Sequence, residues 1–214
     1  MTRLALFALA LIASPALAQT QGAVPFDAKW QEQRFPFQKG NEFTPEGESL
    51  LLRSEGGVSL FYRRTPDHAD AKAASWDWDV RESVPPTDLT QKGGDDRNMA
   101  LYFLFADPET AEELSDASLR SLMNEENVRI LVYTRGGNNE TDTVLENPYL
   151  GDRGRTIVLE TAGTGDASET VDLSNDLGRA FDTRPETLVG IAVSADSDAT
   201  DTVIDATLSN LTLE

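Results

Sequence analysis

The segment Ser75-Trp76-Asp77-Trp78-Asp79-Val80-Arg81 alternates apolar and charged residues without a break, and a period of two fits a β-strand rather than a helix. Such a strand puts Trp76, Trp78 and Val80 on one face and Asp77, Asp79 and Arg81 on the other, so it belongs in a sheet with one dry and one wet side. Two indole rings on the dry side need a second layer to cover them. The rest of the chain offers that layer in more strands. Leu50-Leu51-Leu52 and Val58-Ser59-Leu60-Phe61-Tyr62 flank Glu55-Gly56-Gly57 and read as a hairpin. Residues 99–105 form a nearly continuous apolar run, the mark of a strand covered on both faces. Residues 128–133, 156–159, 188–194 and 202–213 add further strands. In the last, Ile204, Ala206 and Leu208 share a face until Ser209-Asn210 shifts the phase, as a bulge does.

Helical signals are few. Asp107-Pro108-Glu109 supplies an N-cap and a proline at the first helical position, and apolar residues at Ala111, Leu114, Leu119, Leu122 and Met123 carry a helical segment to about Asn124, with a break near Ser115. Leu173, Leu177, Ala180 and Phe181 recur at the spacing of one helix face. Many strands and two short helices predict a mainly β fold: an antiparallel β-sandwich, jelly-roll-like. No repeat of fixed period and no interior linker divides the chain.

The N-terminus is of a different kind. Arg3, an apolar run over 4–13 and Ala16-Leu17-Ala18 have the order of a secretory signal peptide, with cleavage expected after Ala18. The run is too short to span a bilayer and Pro15 interrupts it. No cysteine follows for lipid attachment, and no later stretch is long and apolar enough to cross a membrane. The expected organisation is a signal peptide over 1–18, an extension over 19–48 that packs on the domain, and a single sandwich over 49–214. The expected location is periplasmic or secreted.

Composition narrows the chemistry. The 214 residues carry 18 basic and 37 acidic side chains, a formal charge of −19, which becomes −20 once Arg3 is removed. A surface this acidic repels phosphate backbones, so no nucleic-acid partner is expected. The absence of cysteine excludes disulfides, thiolate metal sites and cysteine nucleophiles, and the single histidine, His68, excludes an all-histidine metal site. Carboxylate and hydroxyl chemistry remains. Asp95-Asp96, in a turn after Gly93-Gly94, either cap that turn with Lys92 as ion-pair partner or offer hard oxygen ligands. Asp196, Asp198 and Thr200 repeat at alternate positions like the first half of a calcium loop, without the glycine and distal glutamate of an EF-hand. Either these residues form a structural turn, or Asp196 and Asp198 share a calcium ion with Asp95 or Asp96. Trp76 and Trp78 read as core, leaving Asp77, Asp79 and Arg81 on a polar sheet face that could form a glycan cleft. Tyr133, Arg135 and Tyr149 lie in or beside glycine-rich loops, where they either pack the loops or contact a saccharide.

The segment Lys92-Gly93-Gly94-Asp95-Asp96, after a tryptophan-rich strand and before the apolar run 101–105, resembles the bacterial exported family catalogued as domain of unknown function 3047. The resemblance continues through Tyr133 ahead of Gly136-Gly137, Asn147-Pro148-Tyr149-Leu150, Gly163-Thr164-Gly165 and the acidic stretch 194–200, and covers roughly 50–213. The chain departs from that pattern at Ala100, where many relatives carry arginine, and at Arg135, where they carry tryptophan. The resemblance implies an exported β-rich domain, and its sandwich character is similar to that of carbohydrate-binding modules. The resulting expectation is a non-catalytic binding domain for a saccharide or cell-envelope glycan, with calcium as a stabilising ion. The alternatives are a polysaccharide hydrolase or lyase using paired carboxylates such as Asp95 and Asp77, and a purely structural envelope protein.

Overall fold

The computed structural model describes residues 22–182 and 187–214; the expected signal peptide over 1–18 lies outside them. In chain order the strands are β1 (Gln31–Arg34), β2 (Glu42–Glu46), β3 (Ser49–Glu55), β4 (Val58–Arg64), β5 (Ala73–Glu82), β6 (Arg97–Ala106), β7 (Arg129–Arg135), β8 (Val144–Asn147), β9 (Gly151–Glu160), β10 (Gly165–Asp172), β11 (Thr187–Asp196) and β12 (Val203–Leu213). They form a seven-stranded sheet in the order β1-β4-β11-β6-β7-β9-β8 and a five-stranded sheet in the order β10-β5-β12-β3-β2. The protein is thus mainly β, two sheets packed as a sandwich. Every pair is antiparallel except β7 with β9. A parallel return needs a long connection, and the turn-rich stretch between those strands provides it while laying β8 against the outer side of β9.

The dry face of β5 sits where its alternation puts it: Trp76, Trp78 and Val80 are 1% exposed in the space between the sheets. The ring of Trp76 meets Trp78, Phe103 and Tyr133 at centroid distances of 5.6–6.0 Å. The run 99–105 is divided between two cores. Leu101, Phe103 and Phe105 face the five-stranded sheet, whereas Ala100, Tyr102 and Leu104 point outward to a second cluster. Leu119 and Leu122 of a short helix cap that second cluster, so the seven-stranded sheet is dry on much of both faces.

The first helical segment breaks where its sequence does, into α1 (Pro108–Glu113) and α2 (Leu119–Asn124). Asp107 caps α1 by accepting from the Thr110 backbone N–H at 2.9 Å. The helix α3 (Leu173–Ala180) turns Leu173 and Leu177 into the core. The phase shift in β12 is present as an irregularity between Ser209 and Thr212, with Asn210 at φ 56°. After it, Leu211 and Leu213 return to the core.

The expected hairpin at Glu55-Gly56-Gly57 is not one. The strand β3 pairs with β2 and β12, and β4 pairs with β1 and β11, so the chain crosses from one sheet to the other at these glycines. Both strands carry core residues on opposite sides of the sandwich, and burial of Leu50, Leu52 and Phe61 against one another's sheets outweighs direct pairing. The segment before residue 49 contributes an edge strand to each sheet, β1 and β2. Asn41 ties that segment down: its backbone N–H donates to Ser59 Oγ, and its side-chain amide donates to the Ala195 carbonyl at 2.9 Å.

Candidate functional site

The two aspartate groups, a hundred positions apart in sequence, meet because β6 begins where β11 ends. Arg97 and Asp196 are register partners in that antiparallel pair, which brings Asp95-Asp96 beside the 196–201 loop. Asp96, 1% exposed, organises that loop: its carboxylate accepts from the Ala199 and Thr200 backbone N–H groups at 3.2 and 2.7 Å and from Thr200 Oγ1 at 2.5 Å. Arg97 provides the internal counter-charge. One guanidinium nitrogen donates to Asp95 Oδ2 at 3.1 Å and Asp196 Oδ2 at 3.2 Å, and the other donates to the Tyr102 hydroxyl at 2.8 Å.

Four carboxylates and one guanidinium give this cluster a formal charge of −3. Burial pushes the Asp196 carboxyl up to about 7; Arg97 pulls it down, and Asp198, Asp95 and Asp96 push it further up. Partial burial and the neighbouring Asp96 raise Asp198 as well. Carboxylate oxygens of Asp96, Asp196 and Asp198 all lie within 4.8 Å of one another, close enough to share one cation. Carboxylates are the hard donors that calcium prefers, and backbone carbonyls or water complete the six to eight oxygens it takes. This buried triad is therefore able to hold a metal.

Arg97, Asp196 and Asp198 of the cluster line a cleft of about 530 Å³ on the outer face of the seven-stranded sheet, within the size range of small-molecule sites. Leu60, Tyr102 and Ser194 line it from the sheet, Gln33, Phe35 and Gln38 from β1 and the chain after it. Met123 and Asn124 of α2 and Tyr149 and Leu150 of the turn between β8 and β9 complete the wall. Apolar, amide and charged groups thus share the lining.

The large exposed apolar side chains among the described residues are Phe35, Phe37 and Tyr149. Phe35 and Tyr149 line the cleft, and Phe37 lies between the lining residues Pro36 and Gln38. Phe37 is fully exposed and sits at φ 67°, a left-handed backbone conformation that is an outlier for a bulky residue. Tyr149 is held more firmly. Its hydroxyl accepts from the Gly93 N–H at 3.0 Å and donates to Asp95 Oδ1 at 3.1 Å, while Lys92 sits 5.2 Å from the ring centroid. Lys92, expected as an ion-pair partner of the turn, thus covers a ring instead.

The other expected contact residues lie elsewhere. Tyr133 and Arg135 point between the sheets rather than into a loop cleft, because β7 runs on through 135. The Tyr133 ring is completely buried and its hydroxyl donates to Asp176 at 2.8 Å. Its position in the core removes it as a platform for a sugar. Arg135 is 5% exposed, with Nε and Nη1 lacking partners among the described residues. Asp77, Asp79 and Arg81 occupy the wet face of β5, across the sandwich from the cleft. There Asp77 accepts from Ser168 and Asn210, and Arg81 donates to Asp79, Asp205 and Thr207. Asp77 and Asp95 share no partner and do not form a carboxylate pair. The cleft residues that the sequence reading missed, Phe35, Pro36 and Gln38 among them, come from a stretch of scattered aromatics with no period. Their signal was the apolar side chains themselves in an otherwise polar segment.

A two-layer β-sandwich with an open cleft on its larger sheet and a carboxylate cluster at one end defines the class. Within it, the chain belongs to the family described as protein of unknown function DUF3047, whose model matches residues 28–212. No curated protein matches it. Among solved structures it is similar to the xyloglucanase domain of NopAA, a type three effector from Sinorhizobium fredii, in complex with cellobiose, at 9% identity and a TM-score of 0.49 over 86% of this chain and 92% of that one. It is also similar to a loop-swap mutant of Xyn11A from Necallimastix patriciarum, at 9% identity and a TM-score of 0.38 over 87% and 94% of the two chains.

Proposed function

We propose that the protein is an exported, non-catalytic binding domain for a saccharide or cell-envelope glycan, held in the cleft on the seven-stranded sheet and stabilised by calcium at Asp96, Asp196 and Asp198. The observation that carries the reading is the pair of exposed rings, Phe35 and Tyr149, that line that cleft, with the fully exposed Phe37 in the chain between the lining residues Pro36 and Gln38. Sugar rings present apolar C–H faces that stack on aromatic rings and hydroxyls that pair with amides. This cleft offers both, with Gln33, Gln38, Asn124 and Asn147 among the lining residues. Phe37 supports the reading by its cost: an apolar ring in an unfavourable backbone conformation and without internal burial is accounted for by an external contact. Export follows from the leader-like segment over 1–18 and is part of the proposal.

The test is calorimetric titration of residues 19–214 with hits from a glycan array. Binding that weakens at least fivefold in Phe37→Ala and Tyr149→Ala, with Phe37→Ala unfolding at the wild-type temperature, supports the reading. Array-wide silence, or binding indifferent to both variants, removes it.

One observation favours a second reading. Asp196 lines the cleft with its carboxyl pushed up by burial and by the neighbouring carboxylates, the direction a general acid requires, with Asp198 as a nearby carboxylate. Release of reducing ends from a bound polysaccharide, abolished by Asp196→Asn, would establish a hydrolase or lyase instead.

A further inference from the structure

From the charges that line the cleft we infer that its glycan is acidic, a uronate-containing chain whose carboxylates engage Arg120 and Arg153; this rests on the reading of the cleft as a saccharide site. The chain carries 37 acidic residues against 18 basic ones, so the default expectation for any arginine is a carboxylate neighbour. Seven described arginines meet it, lying within 4.0 Å of an aspartate or glutamate. The cleft runs against that bias, with four arginines, Arg34, Arg97, Arg120 and Arg153, and two carboxylates, Asp196 and Asp198, among its lining residues.

Two of these arginines are committed. Arg97 is locked between Asp95 and Asp196, and Arg34 pairs with Glu32 at 2.9 Å. The other two have no carboxylate partner among the described residues. Arg120 extends, exposed, from α2 and makes no side-chain hydrogen bond among the described residues. Half-buried Arg153 donates to the Met123 carbonyl at the end of the same helix, which props its guanidinium against the cleft wall. Since Arg97 offsets Asp196, the charges left uncompensated in the lining are two guanidinium groups and Asp198.

A neutral glycan needs no such groups. Unpaired guanidinium ions flanking a stacking platform match a ring that carries a carboxylate, which a guanidinium binds through two parallel N–H donors. On a protein whose overall charge repels polyanions, recognition of this kind has to be local, and the cleft brings together two of the arginines that have no carboxylate partner among the described residues.

The experiment titrates residues 19–214 with three probes: oligogalacturonate, the same oligomer methyl-esterified, and a neutral cello-oligosaccharide of equal length. The inference expects the acid to bind at least tenfold more tightly than its ester, and Arg120→Gln and Arg153→Gln each to lower that acid-over-ester ratio by about tenfold. Arg120→Gln is the cleaner variant, since its side chain holds nothing in the fold. Equal affinity for acid and ester, or preference for the neutral oligomer, overturns the acidic-glycan inference and leaves the saccharide reading standing. Absence of binding by all three probes, together with array-wide silence, overturns both.

Discussion

The carboxylate triad leads to a quantitative expectation for calcium. Asp96, Asp196 and Asp198 are crowded within 4.8 Å, and Arg97 alone offsets them and Asp95. A divalent cation replaces mutual repulsion with attraction, and it does so only in the folded state, because the triad is assembled at one end of the β6–β11 pair from residues about a hundred positions apart in sequence. Calcium bound at the triad is therefore expected to stabilise by mass action. Sites of this kind outside the cytosol bind at about 0.1–1 mM. At 10 mM calcium the gain is then about 1.4–2.7 kcal/mol, which for a domain of this size raises the melting temperature by about 3–11 °C. The assay is thermal unfolding followed by circular dichroism, in chelator and then in 10 mM calcium chloride, against sodium chloride of matched ionic strength. Asp198→Asn is the control of choice: Asp198 is the least buried of the three, and it is Asp96 that holds the loop backbone, so the variant is expected to fold but lose the calcium response. An identical melting temperature in calcium and in matched sodium chloride would refute the reasoning, as would an undiminished calcium shift in Asp198→Asn.

Three further outcomes are expected. In chelator, Asp196 binds a proton more readily in the native state, where its carboxyl titrates near 7, than in the unfolded chain, where it titrates near the ordinary aspartate value of about 3.9. Its favourable contribution is therefore complete below about pH 4 and is lost as pH rises through 7, so Asp196→Asn should gain stability relative to wild type between pH 5 and 8, by at most about 4 kcal/mol; urea unfolding across that range that shows a constant difference contradicts this. Trp76→Ala, at the contact of both sheets, should cost about 3–5 kcal/mol and be visible as a large drop in urea midpoint, whereas a cost below 1 kcal/mol would mean that the ring is not in the core. Expression in a Gram-negative host should yield a periplasmic product whose intact mass begins at Gln19; retention of residues 1–18 would overturn the export proposal.

What the sequence could and could not convey follows from where information is local. The alternation around Trp76 and Trp78 announces its own burial, since each neighbour along the strand reports the face of the next. The phase slip at Ser209-Asn210 and the break between α1 and α2 are equally local, and all three are present in the fold. The strands β1, β2 and β10 are edges with mostly exposed residues, so they carry no alternation to detect. Glu55-Gly56-Gly57 shows the limit of turn chemistry: two glycines permit a reversal but do not say which sheet receives the next strand. The convergence of Asp95-Asp96 with 196–201 was visible as two acidic turns flanking core strands. The cleft was not, because Phe35, Arg120 and Tyr149 are brought together by three separate connections.

The assembly of that cleft also sets a clock. Its floor requires β11 between β4 and β6, and its loop cluster requires Asp96 to find Thr200, so contacts that span a hundred residues or more precede any binding surface. Folds built on such distant pairings close in milliseconds to seconds rather than microseconds. Under the export proposal, a chain delivered across a membrane from its N-terminus presents β1 and β2 before their partner strands β4 and β3, and becomes competent to bind only after its last strands have emerged. Under the export and saccharide proposals, a translocation intermediate is in this sense blind to its ligand, and a half-emerged chain is expected to capture no glycan.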